Sequence, residues 1–137
     1  MHHYIAFLRG INLGNRRLKM DDLRARFEEL KFADVSTFIA SGNVIFASKV
    51  ADRRKLEKQI QDHLLASFGY GVDTFVRTRA EVAAIAAFRP FSKADFENPA
   101  HTVYVSLLTD PLAAEQRRGL LACGTEVDEF CVEGREY

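Results

Sequence analysis

VSTFIASGNVIFA, residues Val35 to Ala47, is the stretch on which the fold turns. Val35 to Ile39 and Val44 to Ala47 are rich in branched and aromatic side chains, which suit a pleated and half-buried backbone, so they read as two strands. The connection Ala40-Ser41-Gly42-Asn43 is short and rich in turn residues, with the one glycine between the strands. A hairpin is therefore expected, and its flanks decide what it belongs to.

Upstream, Tyr4 to Leu8 (YIAFL) is an apolar run that reads as a buried strand ending at Arg9. Met20, Leu23, Phe27 and Leu30 then recur at helical spacing, while Asp21, Asp22, Arg24, Arg26, Glu28 and Glu29 fill the other face. Acid in the first turn suits the helix dipole. Downstream, Asp52 opens a second helix with Leu56, Ile60, Leu64 and Phe68 on one stripe, stopped by Gly69 and Gly71. Val72 to Arg77 supplies a fourth strand. The order is βαββαβ, the split β-α-β arrangement: an α+β, ferredoxin-like fold with a four-stranded antiparallel sheet backed by two helices.

The second half starts with Thr78 and Glu81, spaced as a capping box ahead of Val82, Ile85 and Phe88. Arg89 to His101 contains two prolines and no clean period, and reads as a linker. Thr102 to Leu108 is a predicted strand, and Asp110-Pro111 a predicted cap and first position of a helix running to about Arg118. Glu126 to Val132 and Arg135 to Tyr137 read as two strands around a turn at Glu133 and Gly134. The expected organisation is a ferredoxin-like half over 1–77, a helix and linker over 78–101, and a partial βαββ repeat over 102–137. The two halves are expected to pack as one unit, and the partial repeat leaves an edge that a homodimer would cover.

The sequence has 137 residues, 19 Lys plus Arg and 19 Asp plus Glu, hence a formal net charge of zero. The totals do not favour a polyanion, which usually calls for a basic domain or face. Cys123 and Cys131 are the only cysteines, no secretory leader or membrane span is recognisable, and a reduced cytoplasmic protein with buried thiols is expected.

In the split arrangement the third strand lies beside the first and runs antiparallel to it. The end of the first strand then meets the start of the third. Arg9, Gly10 and Asn12 are brought toward Ser41, Gly42 and Asn43, with Asp73 at the same end of the fourth strand. Gly10 and Gly14 permit tight bends whose successive N–H groups form an anion-binding nest, and Arg9, Arg16 and Arg17 surround it with positive charge. The candidate ligand-binding residues are thus Arg9, Gly10, Asn12, Gly14, Arg16 and Arg17 on one loop, and Ser41, Gly42 and Asn43 on the other. A phosphate-bearing small molecule or nucleic acid is the candidate partner. The pattern lacks the Lys-Ser or Lys-Thr of a triphosphate loop and the spacing of a dinucleotide fingerprint. Arg9 has a structural alternative, an ion pair with Asp73.

Catalytic signatures are sparse. His2, His3, His63 and His101 stand in no metal-binding spacing, His63 reads as the flank of the second helix, and no cofactor is implied. Ser41 has no histidine nearby in sequence to activate it. Phe7, Phe38, Phe46, Tyr104 and Phe130 fall on predicted strands and read chiefly as core, because no contiguous basic and aromatic RNA-binding motif accompanies them.

Tyr4 to Ser48 strongly resembles the opening of domain-of-unknown-function family 1697, small bacterial proteins without an established activity. The resemblance is carried by LRGIN at Leu8 to Asn12, Met20 with Leu23, and SGNV at Ser41 to Val44. It continues through RPF at Arg89 to Phe91, TVYVSLL at Thr102 to Leu108 and EGREY at Glu133 to Tyr137. It implies two ferredoxin-like halves and points to the same two loops. It also implies a further strand, turn, helix and Thr-Arg-Asn-Trp ending beyond the GREY-like segment. Binding of an anionic ligand leads the functional readings; an enzyme acting on a phosphorylated substrate, and a structural or homo-oligomerising module, are the alternatives.

Overall fold

Apolar alternation in the opening run becomes β1 (His2–Leu8), whose Tyr4, Ala6 and Leu8 are buried while Ile5 and Phe7 on the other face are half-buried. A computed structural model describes residues 1–11, 17–39 and 42–137. They divide into two units, Met1–Ala86 and Ala87–Tyr137. In the first, β1 is followed by α1 (Met20–Glu29), β2 (Ala33–Phe38), β3 (Asn43–Ser48), α2 (Arg53–Phe68), β4 (Thr74–Thr78) and most of α3 (Arg79–Ala87). The strands pair in the order β2-β3-β1-β4, every neighbour antiparallel. This is the α+β, ferredoxin-like arrangement expected from the hairpin and its flanking helices.

Both helical stripes reach the core. Leu23 and Phe27 of α1 and Leu56, Ile60 and Leu64 of α2 are fully buried, and Met20, Leu30 and Phe68 pack against the same cluster. Phe46 of β3 is its aromatic centre, with ring centroids 4.5 Å from Phe32, 5.5 Å from Tyr4 and 5.6 Å from Phe27. Each such ring contributes on the order of 1.5–3 kcal/mol by leaving water. Phe38 departs from the core reading: β2 alternates, and its side chain is on the face opposite the helices, 59% exposed. A bulge between Ala33 and Ser36 also starts β2 earlier than the branched residues alone indicate.

The caps follow the sequence closely. Asp52 Oδ1 accepts from Lys55 N at 3.2 Å to open α2, and Gly69 closes it with its N–H on Leu65 O at 2.9 Å. Thr78 and Glu81 form the capping box: Glu81 N donates to Thr78 Oγ1 and Thr78 N to Glu81 Oε1, both at 3.1 Å.

The outer border of β4 is closed by side chains. Register directs the amides of Thr74, Val76 and Thr78 away from β1. Thr74 N donates to Gln61 Oε1 at 3.0 Å, Val76 N to Glu57 Oε2 at 3.3 Å, and Thr78 N to Glu81 Oε1. The carbonyl of Val76 accepts from Nη1 of the fully buried Arg77 at 3.1 Å. Glu57, itself buried, also pairs with Arg53. Burial pushes its carboxyl above the ordinary range, against the opposing pull of Arg53, the Val76 amide and Arg77.

The second unit contains α4 (Lys93–Glu97) and α5 (Ala114–Leu121). Helix α4 lies inside the stretch read as a linker: Ser92 Oγ caps it by accepting from Asp95 N at 3.1 Å. Helix α5 starts after Ala113 rather than at Pro111, and Ala113 N donates to Gln116 Oε1 at 2.9 Å. Extended pairing is brief: Ser106 and Tyr137 exchange both backbone bonds at 2.7 and 3.0 Å, and Leu108 N donates to Arg135 O at 2.8 Å. The strand expected over 126–132 is not formed, and only isolated bridges join 107 and 133 to 136. β-propensity cannot form a strand without a ladder to join; Tyr104, read as core, is 81% exposed here. Cys123 and Cys131 are free thiols, and Cys123 is exposed rather than buried. Among the described residues no helix is long and apolar enough to cross a membrane.

Candidate functional site

The geometry at the end of β1 follows from register. Phe7 stands opposite Asn43 on β3 and Phe75 on β4. One step on, Leu8 N donates to Gly42 O at 3.1 Å, and the next amide, Arg9 N, donates to Asp73 O at 3.0 Å. The departure of β1 is thus bound to the arrivals of both neighbours, and Arg9, Gly42, Asn43 and Asp73 share one edge of the sheet.

Arg9 continues the alternation of β1 onto the face opposite the helices. Its Nη1 lies 3.6 Å from Asp73 Oδ2, with 77% of the Arg9 side chain and 66% of the Asp73 side chain exposed. Two exposed charges at this distance in water hold each other weakly. The guanidinium is therefore beside Asp73 and still open to solvent.

Gly42 explains the close approach of the two loops. Its φ is +83°, and a Cβ there would stand 3.3 Å from both Leu8 O and Ile11 Cγ1. Ile11 is buried in the core cluster, so the LRGIN segment is anchored by an apolar side chain packed over Gly42. Positive φ occurs twice more nearby, as it does at Lys31 and Asp34 elsewhere: Gly10 has φ +69°, and the β-branched Ile39, where a left-handed conformation costs free energy, has φ +49°.

Of the predicted site residues, Arg9, Gly10, Gly42 and Asn43 gather at this edge. Arg17 is exposed on the segment leading to α1. Asn12, Gly14, Arg16 and Ser41 lie outside the described residues. The anchoring role of Ile11 has one sequence signal, an apolar residue isolated between glycine and asparagine. His63 is on the flank of α2 as expected, its Nε2 2.8 Å from Glu29 Oε2 of α1, and His101 Nδ1 is 3.4 Å from Asp95 Oδ1. Neither belongs to this edge. Among the described residues no group of three or more His, Cys, Asp or Glu is arranged to hold a metal ion.

Comparison with known proteins adds a family. The family described as protein of unknown function DUF1697 matches residues 1–137, the full length of the sequence. The chain belongs to the DUF1697 family. A solved structure similar to this DUF1697 chain is that of a conserved bacterial protein from Streptococcus pneumoniae, at 20% identity with a TM-score of 0.71. The match covers 89% of the DUF1697 chain and 66% of the pneumococcal chain, so the sequence spans just under two thirds of that relative. At this identity the likeness establishes the fold alone. No curated protein matches the sequence.

Proposed function

We propose that this DUF1697 chain is a cytoplasmic binding protein for an anionic, phosphate-bearing ligand, held at the edge where β1 ends and β3 begins. One observation carries the reading: the backbone of Arg9 is tied to Asp73 O at this edge, and its guanidinium, beside Asp73 Oδ2, has a side chain that is 77% exposed. A positioned cation that keeps its solvent-facing donors is suited to a charge-assisted, two-pronged bond with a phosphate. The left-handed φ of the β-branched Ile39 at the same edge supports it, because strained backbone collects at ligand-binding sites, and Gly10 and Gly42 let backbone approach a ligand closely.

The ion pair also favours a second reading, in which Arg9 and Asp73 only tie β1 to β4. The enzyme alternative needs Ser41, outside the described residues, or Asp73, which faces Arg9, to handle a proton, and has no further support. Thermal unfolding with pyrophosphate, AMP and a short single-stranded oligonucleotide separates binding from tying. A rise in Tm with at least one phosphate-bearing probe is expected, and its loss in Arg9→Ala and Asn43→Ala proteins of unchanged circular dichroism. An equal rise in both variants, or none with any probe, would leave the structural reading.

A further inference from the structure

The sheet carries a row of phenylalanines that the core does not use. Pairing places Phe38 of β2, Asn43 of β3, Phe7 of β1 and Phe75 of β4 side by side across all four strands. All four are on the face opposite α1 and α2, because their neighbours Val44, Leu8, Thr74 and Val76 are the buried ones. None of the three rings belongs to the hydrophobic core cluster or packs against it. Phe38 is 59% exposed, Phe7 and Phe75 are half-buried, and the next row inward runs from the exposed Ser36 and Ile45 through the half-buried Ile5 to the fully buried Arg77. The row is immediately inside the Arg9–Asp73 pair: two residues along β1, about 7 Å, separate Phe7 from Arg9.

We propose that this row is a stacking surface for a nucleobase, making the ligand a nucleoside monophosphate. The inference rests on the anion reading above and assigns the rest of the ligand. A base has two apolar π-faces and a hydrogen-bonding rim. Phenylalanine accepts the face, and the Asn43 amide, which has both a donor and an acceptor, suits the rim. The phosphate then falls at Arg9, and Asp73 is an acceptor for a ribose hydroxyl. Charge favours a mononucleotide over a nucleic acid: the formal net charge is zero, and Arg9, beside this row, already faces the Asp73 carboxylate. Polyanion binding draws on many phosphate contacts, whereas a single phosphate needs one.

The test is titration calorimetry with inorganic phosphate, adenosine and the monophosphates of adenosine, guanosine, cytidine and uridine. At least one monophosphate is expected to bind roughly ten-fold or more tightly than phosphate, the range that base stacking on an aromatic ring provides. Phe7→Leu and Phe75→Leu, at neighbouring positions on β1 and β4 beside the Arg9–Asp73 pair, keep bulk and remove the ring, and should each erase most of that advantage and leave phosphate binding unchanged. If the monophosphates bind no better than phosphate, or both variants bind them as the parent does, the stacking surface is overturned while the anion site stands. If phosphate and monophosphates all fail to bind, both readings fall. Tight, salt-sensitive binding of an oligonucleotide alone would overturn the mononucleotide assignment.

Discussion

Arg9 and Asp73 are joined twice, once by backbone and once by side chain, at 3.0 Å from amide to carbonyl and 3.6 Å from guanidinium to carboxylate. The backbone link keeps both its groups under any substitution at either position except proline at 9, which has no N–H to donate. Only the exposed ion pair is lost in Arg9→Ala, and a pair of that kind contributes about 0.2–1 kcal/mol. We expect Arg9→Ala and Asp73→Ala each to unfold within about 1 kcal/mol of the parent in urea, with a coupling in the double variant no larger than that. A loss of several kcal/mol would mean that Arg9 is a structural residue first.

Gly42 is predicted to be far less tolerant. With φ at +83° and a Cβ position 3.3 Å from Leu8 O and Ile11 Cγ1, Gly42→Ala combines backbone strain with a crowded contact. The expected cost is on the order of 1–3 kcal/mol, read as a fall in the denaturation midpoint. An unchanged midpoint would show that the hairpin turn readjusts freely and does not position the edge.

Glu57 gives a pH dependence. Its carboxyl is raised above the ordinary value of 4.5 by burial. Between 4.5 and that raised value the folded chain holds the proton and the unfolded chain releases it. This group's contribution to stability therefore falls as pH rises through the window. Glu57→Gln cannot titrate and retains an oxygen for the Val76 amide, so that component of the slope should vanish from a pH series of unfolding free energies. A slope identical to the parent's would assign the effect elsewhere.

The core prediction is conventional in mechanism and specific in place. Phe27 is fully buried with its ring centroid 5.6 Å from that of Phe46, and Leu64 is fully buried on α2. Phe27→Ala and Leu64→Ala should cost about 3–5 and 2–5 kcal/mol respectively. Phe38→Ala, exposed on the opposite face, should cost under about 1 kcal/mol by the same assay. Similar losses at Phe27 and Phe38 would contradict the assignment of the two faces.

The first unit was legible because its signals agree with one another. Leu23 and Phe27, or Leu56, Ile60 and Leu64, keep a helical period, and the stops at Gly69 and the box at Thr78 and Glu81 are local chemistry that needs no distant partner. The meeting of Arg9 with Asp73 followed from topology alone. Phe38 was misread because an aromatic residue on a strand looks the same on either face until register is known. The second unit was harder for a different reason: Val103, Tyr104 and Val105 have the composition of a strand, but a strand is completed by its neighbour, and only Ser106 to Leu108 finds one. Helix α4 was hidden by its shortness, although Ser92 and Asp95 had the spacing of a cap.

The side chains that line β4 have a consequence for assembly. Growth of a sheet from one molecule to the next in a head-to-tail array consumes two borders per molecule, one to give and one to receive. Here Gln61, Glu57, Glu81 and Arg77 already occupy the β4 border from within. A neighbouring strand that docked on this border would first have to displace those side chains, so the border is guarded against edge-to-edge growth.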